Sequence, residues 1–443
     1  MLFSTAFPTS FRAIFGLIYS LIFVVSSVLT TWASPYTETM PEIPEDFEPA
    51  VRFVVFTDNH AVEKESYVPT DGVEKMIDTC FSIYGEDGVD LFACCGDFTE
   101  FGKSGEMAPF VKAFFEKIGS RAETLVVLGN HDLKSGEDVI ERFKSEFGVD
   151  VGRQHKVING FHFIGVPSCN PGAIQFYPPE MLSWAKQELA KAEADSPALP
   201  VFSFQHAHNT GTVYGSTIWG SPWLASVWNG HNRVVNFSGH SHFPLEDPRS
   251  IWQGSYTSVG VGAMNRFELE QDLIWGRHPD KYDTAAEFCI VEADRDGSVA
   301  IKAYDLQTDS FFLSYYIENV NDPSCYAYTY KNRLAYDDAP VFESGAQVTC
   351  SKNENGEALL TFDRASDKLA VHDYKITVTD SLGFPVLAKT YLSDYYLHGV
   401  PEQFTVNLGE LNIDPGKEFR VKIVAVNSYY ELSKPLTAVL TME

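Results

Sequence analysis

The chain is short of positive charge: 33 Lys and Arg stand against 60 Asp and Glu, a net charge of −27. So acidic a body repels polyanions at long range, which argues against nucleic acid as a main partner. A small anionic substrate is compatible with it only where a bound cation reverses the sign locally. Cysteine is sparse too. None of the seven stands in a C-x-x-C pair and their number is odd, so zinc-ribbon and thioredoxin arrangements are excluded by spacing. Cys94 and Cys95 fall inside an apolar run and read as small buried hydrophobes. Export would permit disulfides, Cys325 with Cys350 among them, and the sequence does not choose the pairing. Internal repeats and low-complexity tracts are absent.

What is present is a globular composition, 44% hydrophobic and 21% charged over 443 residues. That length suggests two folded units and a targeting segment. Residues 1–33 form that segment. Arg12 precedes the uncharged run "AIFGLIYSLIFVVSSVLTTWAS", which ends in small residues around Ala33, the layout of a secretory signal peptide. The run is also long enough for an uncleaved membrane anchor, the alternative. Either way the working part is expected in the secreted or cell-envelope space, close to a membrane if the anchor is retained. Cleavage would remove Arg12 and take the net charge to −28.

After a linker at 34–50, apolar strands alternate with amphipathic helices. "VRFVVFTD" (51–58), "DLFACCGD" (90–97), "TLVVLGNHD" (124–132), "PVFSFQH" (200–206) and "VVNFSGHSH" (234–242) read as buried strands. Helical spacing places Val73, Met76, Ile77, Cys80 and Phe81 on one face. A second face carries Met107, Phe110, Val111, Phe114, Phe115 and Ile118. A long irregular stretch precedes the helix that begins near Pro179, and a short helix is expected with Ser221 as its N-cap and Pro222 next. This order implies an α/β (α+β) domain over 51–315, built from βαβ units with sheet covered by helices. "AEFCIVEADRDGSVAIKAYD" reads as a closing hairpin around Asp294–Gly297. Residues 316–339 lack periodicity and read as a linker. Seven short strands in 340–443 then suggest a separate all-β sandwich.

The strands of the first domain share one kind of ending: Asp58-Asn59-His60, Gly96-Asp97, Gly129-Asn130-His131-Asp132, His206, and Gly239-His240-Ser241-His242. Strand carboxyl ends are where α/β sheets bind ligands. Each fragment alone is an ordinary turn or polar strand end. Together they offer carboxylates, an amide oxygen and imidazoles, with no thiolate. That set suits Mn, Fe, Zn or Co better than calcium or a closed zinc site. It is too large for one tetrahedral ion and about right for two divalent ions sharing a carboxylate.

As an ordered set, Asp-x-His, Gly-Asp, Gly-Asn-His-Asp, a lone His and Gly-His-x-His resembles the calcineurin-like metallophosphoesterase family over residues 51 to about 310. The resemblance implies a β-sandwich core flanked by helices, and a small phosphoester as substrate. Asp58, His60 and His242 would hold one metal; Asn130, His206 and His240 would hold the other, with Asp97 bridging. His131 would be catalytic, stabilising the phosphoryl oxygens or protonating the leaving oxygen. Asp132 reads as a solvated turn residue, with orientation of His131 as the alternative. The reaction implied is attack by a metal-bridging hydroxide on a phosphate mono- or diester. Purple acid phosphatases, a branch of this family, carry Tyr three residues after the bridging Asp. Glu100 stands there, so no tyrosinate-bound ferric site is implied.

On the substrate side, "QHAHNTG" offers His208 as a pocket-lining residue beside His206, and Tyr214 and Trp219 are candidates for contacting the organic part of the ester, with aromatic packing in the core as the alternative. Lys103, Arg233 and Arg266 are candidate phosphate partners, although such groups are more often solvated surface residues. Ser241 is expected to point away from its flanking imidazoles. The segment "EFRVKIVAVNSYYELSKPL" resembles the last strands of a fibronectin type III or immunoglobulin-like module. Such modules often carry an early core Trp; this one has none, and Phe362 is placed there. Two functions of different class follow: an exported binuclear phosphoesterase, or an extracellular binding or adhesion protein with a disabled phosphoesterase domain. The complete ligand set favours the first.

Overall fold

The computed structural model describes residues 40–62, 70–136, 138–270, 276–277, 279, 281–284, 286–411, 413 and 416–441. The proposed signal segment, 1–33, lies outside them. Among the described residues no helix is long and apolar enough to cross a membrane.

The first domain stacks two six-stranded sheets face to face. One holds β1 (Val51–Phe56), β2 (Leu91–Cys94), β3 (Glu123–Val126) and three later strands, β10 (Glu287–Ala293), β11 (Val299–Asp305) and β12 (Ser310–Ile317), in the order β12-β11-β10-β1-β2-β3. The other holds β4 (Gln154–Ile158), β5 (Phe161–Val166), β6 (Val201–Gln205), β7 (Val234–Ser238), β8 (Ile251–Gln253) and β9 (Thr257–Gly260), in the order β8-β9-β7-β6-β5-β4. Strands β1, β2 and β3 run parallel in the first sheet, as do β5, β6, β7 and β9 in the second. The five strand ends therefore come from two sheets, and they meet at one rim of the sandwich.

Alternation explains why the strands read as unbroken apolar runs. Phe53 points between the sheets, where its ring meets Phe163, Phe202, Phe204 and Phe237 at centroid distances of 5.2, 4.6, 6.1 and 5.8 Å. Val54 and Phe56 point outward, under the helices α1 (Thr70–Tyr84) and α2 (Ser104–Val111). Both faces of each parallel strand are buried, so period-2 patterning disappears. The expected helical faces are the buried ones, Val73, Met76, Ile77 and Cys80 on α1 and Met107 and Phe110 on α2. On the second sheet, α4 (Pro179–Asp195) lays Met181, Ala185, Leu189 and Ala192 against Ile164 and Val201.

The stretch between 133 and 178 is not irregular. It holds the short helix α3 (Val139–Arg142) and the hairpin of β4 and β5. Its signal was Asn159-Gly160, both at positive φ (52° and 87°), the chemistry of a two-residue hairpin turn. The short helix after Ser221 also differs from expectation. It spans Ala225–Trp228, because Ser221 Oγ is engaged in donating to the Gln175 carbonyl at 2.9 Å instead of capping.

The C-terminal region is the expected all-β sandwich. A three-stranded sheet of β13 (Val348–Lys352), β14 (Ala358–Asp363) and β17 (Gln403–Gly409) faces a four-stranded one of β15 (Val371–Asp380), β16 (Pro385–Leu392), β18 (Glu418–Asn427) and β19 (Leu436–Thr441). Phe362 is fully buried between Tyr374 and Phe404.

The connection over 316–339 is itself packed. Tyr326, Tyr328, Asn332 and Arg333 are buried, and Arg333 Nη1 donates to the Ile251 carbonyl at 2.6 Å. The sandwich grips the loop that follows His242. Buried Asp247 pairs with Arg249 at 2.7 Å and accepts from Ser428 Oγ at 3.0 Å and Tyr395 Oη at 3.4 Å. Beside it, Glu246 Oε1 lies 3.0 Å from His398 Nε2, and His398 Nε2 lies 3.8 Å from Asp305 Oδ2.

Burial, with Asp305 and Asp247 nearby, pushes Glu246 up to about 8, and burial with Glu246 pushes Glu287 well above the carboxylate range. The folded state therefore holds more protons here than the unfolded chain between the ordinary glutamate range and about pH 8. Stability is present at low pH and is lost as pH rises through that window. Urea unfolding at about pH 5.5 and about pH 8 should show the fall, and Glu287→Gln should shrink it. An unchanged pH slope in that variant would remove the carboxyl pair as its cause.

Candidate metal centre

Three of the parallel strands, β1, β2 and β7, end in turns that ordinary residues resist. Asp58, His60, Asp97, His240 and His242 have φ of 55°, 50°, 49°, 74° and 56°. They are five of the ten non-glycine residues with positive φ among the described residues. Each such conformation costs on the order of 1 kcal/mol and persists only where surrounding structure imposes it. Two glycines let the loops close up. A Cβ on Gly129 would lie 2.0 Å from Asp97 Oδ1, and one on Gly239 would lie 2.1 Å from Thr57 Oγ1 and 2.4 Å from Asp58 Oδ2.

The donors fall into two groups. In the first, His60 Nδ1 lies 2.9 Å from Glu100 Oε2, and His242 Nδ1 lies 2.9 Å from the Arg266 carbonyl. An acceptor at Nδ1 calls for the proton there, which leaves both Nε2 atoms with lone pairs. These Nε2 atoms face each other at 3.1 Å. Asp58 Oδ1 completes the group, 3.3 Å from His242 Nε2 and 3.8 Å from His60 Nε2. It is buried and has no hydrogen-bond partner, whereas Oδ2 accepts from the His240 N–H at 2.8 Å.

In the second group, His206 Nδ1 lies 2.9 Å from the Cys95 carbonyl and His240 Nε2 lies 2.8 Å from the Ala173 carbonyl. Their opposite nitrogens, His206 Nε2 and His240 Nδ1, meet at 3.1 Å. His206 Nε2 is also 3.1 Å from Asn130 Oδ1 and 3.1 Å from Asp97 Oδ2. Asp97 Oδ2 reaches toward the first group as well, 3.9 Å from His60 Nε2, while its Oδ1 accepts from the His131 N–H at 2.8 Å.

Lone pairs thus converge at two adjacent points, and a cation is what such a set lacks. The residues fit divalent metal ions with nitrogen and oxygen donors. Against the cost of burial, the Asp97 carboxylate raises His206 to about 9, and the Asp58 carboxylate raises His242. The carboxyls of Asp58 and Asp97, which burial alone would raise, are held well below the usual range by those imidazoles. Burial keeps His60 and His240 neutral, both lowered to about 4.

The structure thereby brings Asp58, His60, Asp97, Asn130, His206, His240 and His242 together. His131 lies at their open side, its ring edge-on to His60 with centroids 4.6 Å apart. The residues assigned to substrate are placed otherwise. His208 is buried, with Nδ1 2.8 Å from Ser238 Oγ and Nε2 2.7 Å from Ser241 Oγ. It braces the last ligand loop from behind instead of lining a pocket, and Ser241 is the atom it holds. Burial lowers its pKa to about 3. Tyr214 is buried at the junction with the sandwich, its Oη 2.8 Å from His372 Nε2. Arg233 donates to the Ser196 and Leu199 carbonyls and serves the fold. Asp132 is neither solvated nor directed at His131. Fully buried, it accepts from the Thr99 and Gly129 N–H groups, both at 2.8 Å, and burial next to Asp97 raises it to about 7.

Sequence reasoning noted Glu100 only as standing where a tyrosine would bind iron, and it missed Lys134. Glu100 joins His60 to His131, at 2.9 and 3.2 Å, and Lys134 Nζ stands 3.0 Å from His131 Nε2 and 3.7 Å from Glu100 Oε1. Their spacing, three residues beyond Asp97 and three beyond His131, was the available signal.

Because both loop glycines are closed in by the site, Gly129→Ala and Gly239→Ala should each destabilise the protein by roughly 1–3 kcal/mol, the range for overpacking. Urea unfolding measures this. Variants that unfold like the native protein would show that the loops need not approach so closely.

Residues 51–244 match the description of the calcineurin-like phosphoesterase family. No curated protein matches the chain. Among solved structures, a purple acid phosphatase from seeds of yellow lupin (Lupinus luteus) is 14% identical, with a TM-score of 0.44. That alignment covers 68% of this chain and 56% of the phosphatase, so the chain spans little more than half its length. A two-domain fibronectin type III segment of chicken tenascin is 14% identical with a TM-score of 0.18, covering 38% of this chain and 75% of that one. The ordered strand-end residues, from Asp58 to His242, all fall within the stretch that matches the calcineurin-like phosphoesterase family model, residues 51–244.

Proposed function

We propose that the protein is an exported binuclear metallophosphoesterase that hydrolyses phosphate mono- or diesters. The observation that carries the reading is the convergence of ring nitrogens and carboxylate oxygens at two neighbouring points, with Asp58 Oδ1 buried and unpartnered. Asp58, His60 and His242 would hold one ion, Asn130, His206 and His240 the other, and Asp97 would stand between them. Mn, Fe, Zn and Co all suit such donors. When bound, the ions would supply an acidified water and positive charge for the phosphoryl oxygens.

The chain's own residues do the rest. The N–H groups of His131 and His240 fix Asp97 and Asp58 through charge-assisted hydrogen bonds of 2.8 Å. Glu100 and the backbone carbonyls orient the ring nitrogens so that each presents its lone pair inward. His131, with Nδ1 3.1 Å from the Glu100 carbonyl and Nε2 3.0 Å from Lys134 Nζ, would stabilise the phosphoryl oxygens or protonate the leaving oxygen. Lys134 and Arg266, the latter 3.8 Å from Glu100, add positive charge at that edge for an anionic ester. Export rests on the sequence of residues 1–33, and the acidic surface disfavours nucleic acid. The sandwich supplies structure, not chemistry.

Metal-depleted protein reconstituted with Mn, Zn, Co or Fe(II) should turn over 4-nitrophenyl phosphate or its bis ester. Titration calorimetry should show two ions per chain, with one lost in Asp58→Ala. Glu100→Gln should lower activity or metal affinity by about 10–100-fold, the usual cost of losing a partner behind a ligating histidine. Metal-loaded protein that hydrolyses neither ester would leave the adhesion-protein reading standing instead.

A further inference from the structure

The site has two unlike rims. On the His131 side stand Lys134 and Arg266. On the His240 side the chain builds a wall of exposed apolar side chains: Ile174 is 79% exposed, Phe176 47% and Trp223 41%. Large apolar groups scattered singly over a surface need no explanation, but a contiguous group beside a site does. Here Phe176 and Trp223 meet edge to face, with ring centroids 5.1 Å apart.

Nor is the wall a loose loop. Its segment is anchored to a candidate metal ligand, since His240 Nε2 donates to the Ala173 carbonyl at 2.8 Å. Ser221 Oγ donates to the Gln175 carbonyl at 2.9 Å, which joins the segment to the one that carries Trp223. Asn170 Oδ1 accepts from the Phe176 N–H at 2.8 Å. Trp219 links wall and site, its ring 5.7 Å from that of His240 and nearly perpendicular to it. These bonds fix the backbone at and beside the exposed Ile174 and Phe176. The exposed apolar area is therefore maintained next to the site by the same carbonyl that orients His240.

We infer that this wall is a subsite for the apolar alkyl or aryl group of the ester's alcohol, so that the substrate is amphiphilic, with its phosphate between the two rims. The inference rests on the phosphoesterase reading for the placement of the phosphate. Continuity with His240 argues for a substrate group over a second copy of the chain, and the cationic rim opposite suits the anionic end of the same molecule.

The test uses the metal-loaded full chain and straight-chain alkyl phosphonates from methyl to octyl, whose C–P bond resists hydrolysis. Calorimetric affinity should rise by about two- to fourfold for each methylene that reaches the wall. Ile174→Ser and Trp223→Ser should flatten that rise. Leu382→Ser, at a residue 81% exposed on the C-terminal sandwich, should leave it intact. The matching alkyl phosphates, similar in leaving-group reactivity, should show the same trend in kcat/KM. Affinity independent of chain length in the native protein would overturn the subsite, and so would a rise that survives both wall variants. Binding to neutral phosphatidylcholine vesicles that is lost in Trp223→Ser, with no chain-length effect, would overturn it in favour of a membrane contact. A chain-length effect on phosphonate binding with no turnover of any ester would keep the subsite and defeat the hydrolase reading.

Discussion

The structure turns on the burial of two carboxylates, Asp58 and Asp97, at a rim where, among the described residues, imidazoles offset their charge. Burying an unpaired charge is among the most costly things a fold can do. Here the cost is met partly by N–H groups on one oxygen of each carboxylate, while the other oxygen is turned toward a cluster of ring nitrogens. A fold that only needed stability would have placed apolar side chains there. Retaining unpartnered Asp58 Oδ1 makes sense when a cation completes the arrangement.

That demand propagates outward. Strands β1, β2 and β7 must stop and turn their side chains inward within a few residues, which forces five non-glycine residues into left-handed backbone conformations. Such turns cannot hold themselves. Gly129 and Gly239 let neighbouring loops come within contact of Asp97 and Asp58, and Asp132 ties the Gly129 loop to Thr99. His208 performs the same task for the last loop through Ser241. Residues that look like candidates for chemistry thus divide into those that present atoms to the site and those that keep the backbone bent beneath it.

This division marks the limit of what the sequence makes legible. The strands, the ligand types and the C-terminal sandwich can be read because they follow burial, alternation and strand-end position. His206 could be separated from His208 because it directly ends its strand. The role of His208 could not be assigned, because an imidazole two residues further on has the same composition whether it faces a pocket or a serine behind the sheet. Tyr214 failed for a related reason: proximity in sequence to two ligands says nothing of which side of the loop meets the sandwich. The β4–β5 hairpin was marked by Asn159-Gly160, yet His162 broke the apolar run and concealed the strand. That there are two sheets instead of one lay beyond periodicity, since a strand buried against a helix and one buried against a second sheet look alike.

The C-terminal sandwich belongs to the same physical argument. The loop that leaves His242 runs straight into Phe243, Glu246 and Asp247, and every one of these is covered from the sandwich side or from residues that contact it. Phe243 packs with Tyr214 and belongs to the cluster that includes Tyr396. Asp247 accepts from Ser428 and Tyr395. An exposed loop at that position would leave the positive φ of His240 and His242 without support on one flank, and such conformations relax where nothing opposes them. The sandwich therefore acts on the site without contributing an atom to it. It buries the exit of the last ligand loop, in the way that His208 and Ser241 fix its interior and Gly239 permits its approach.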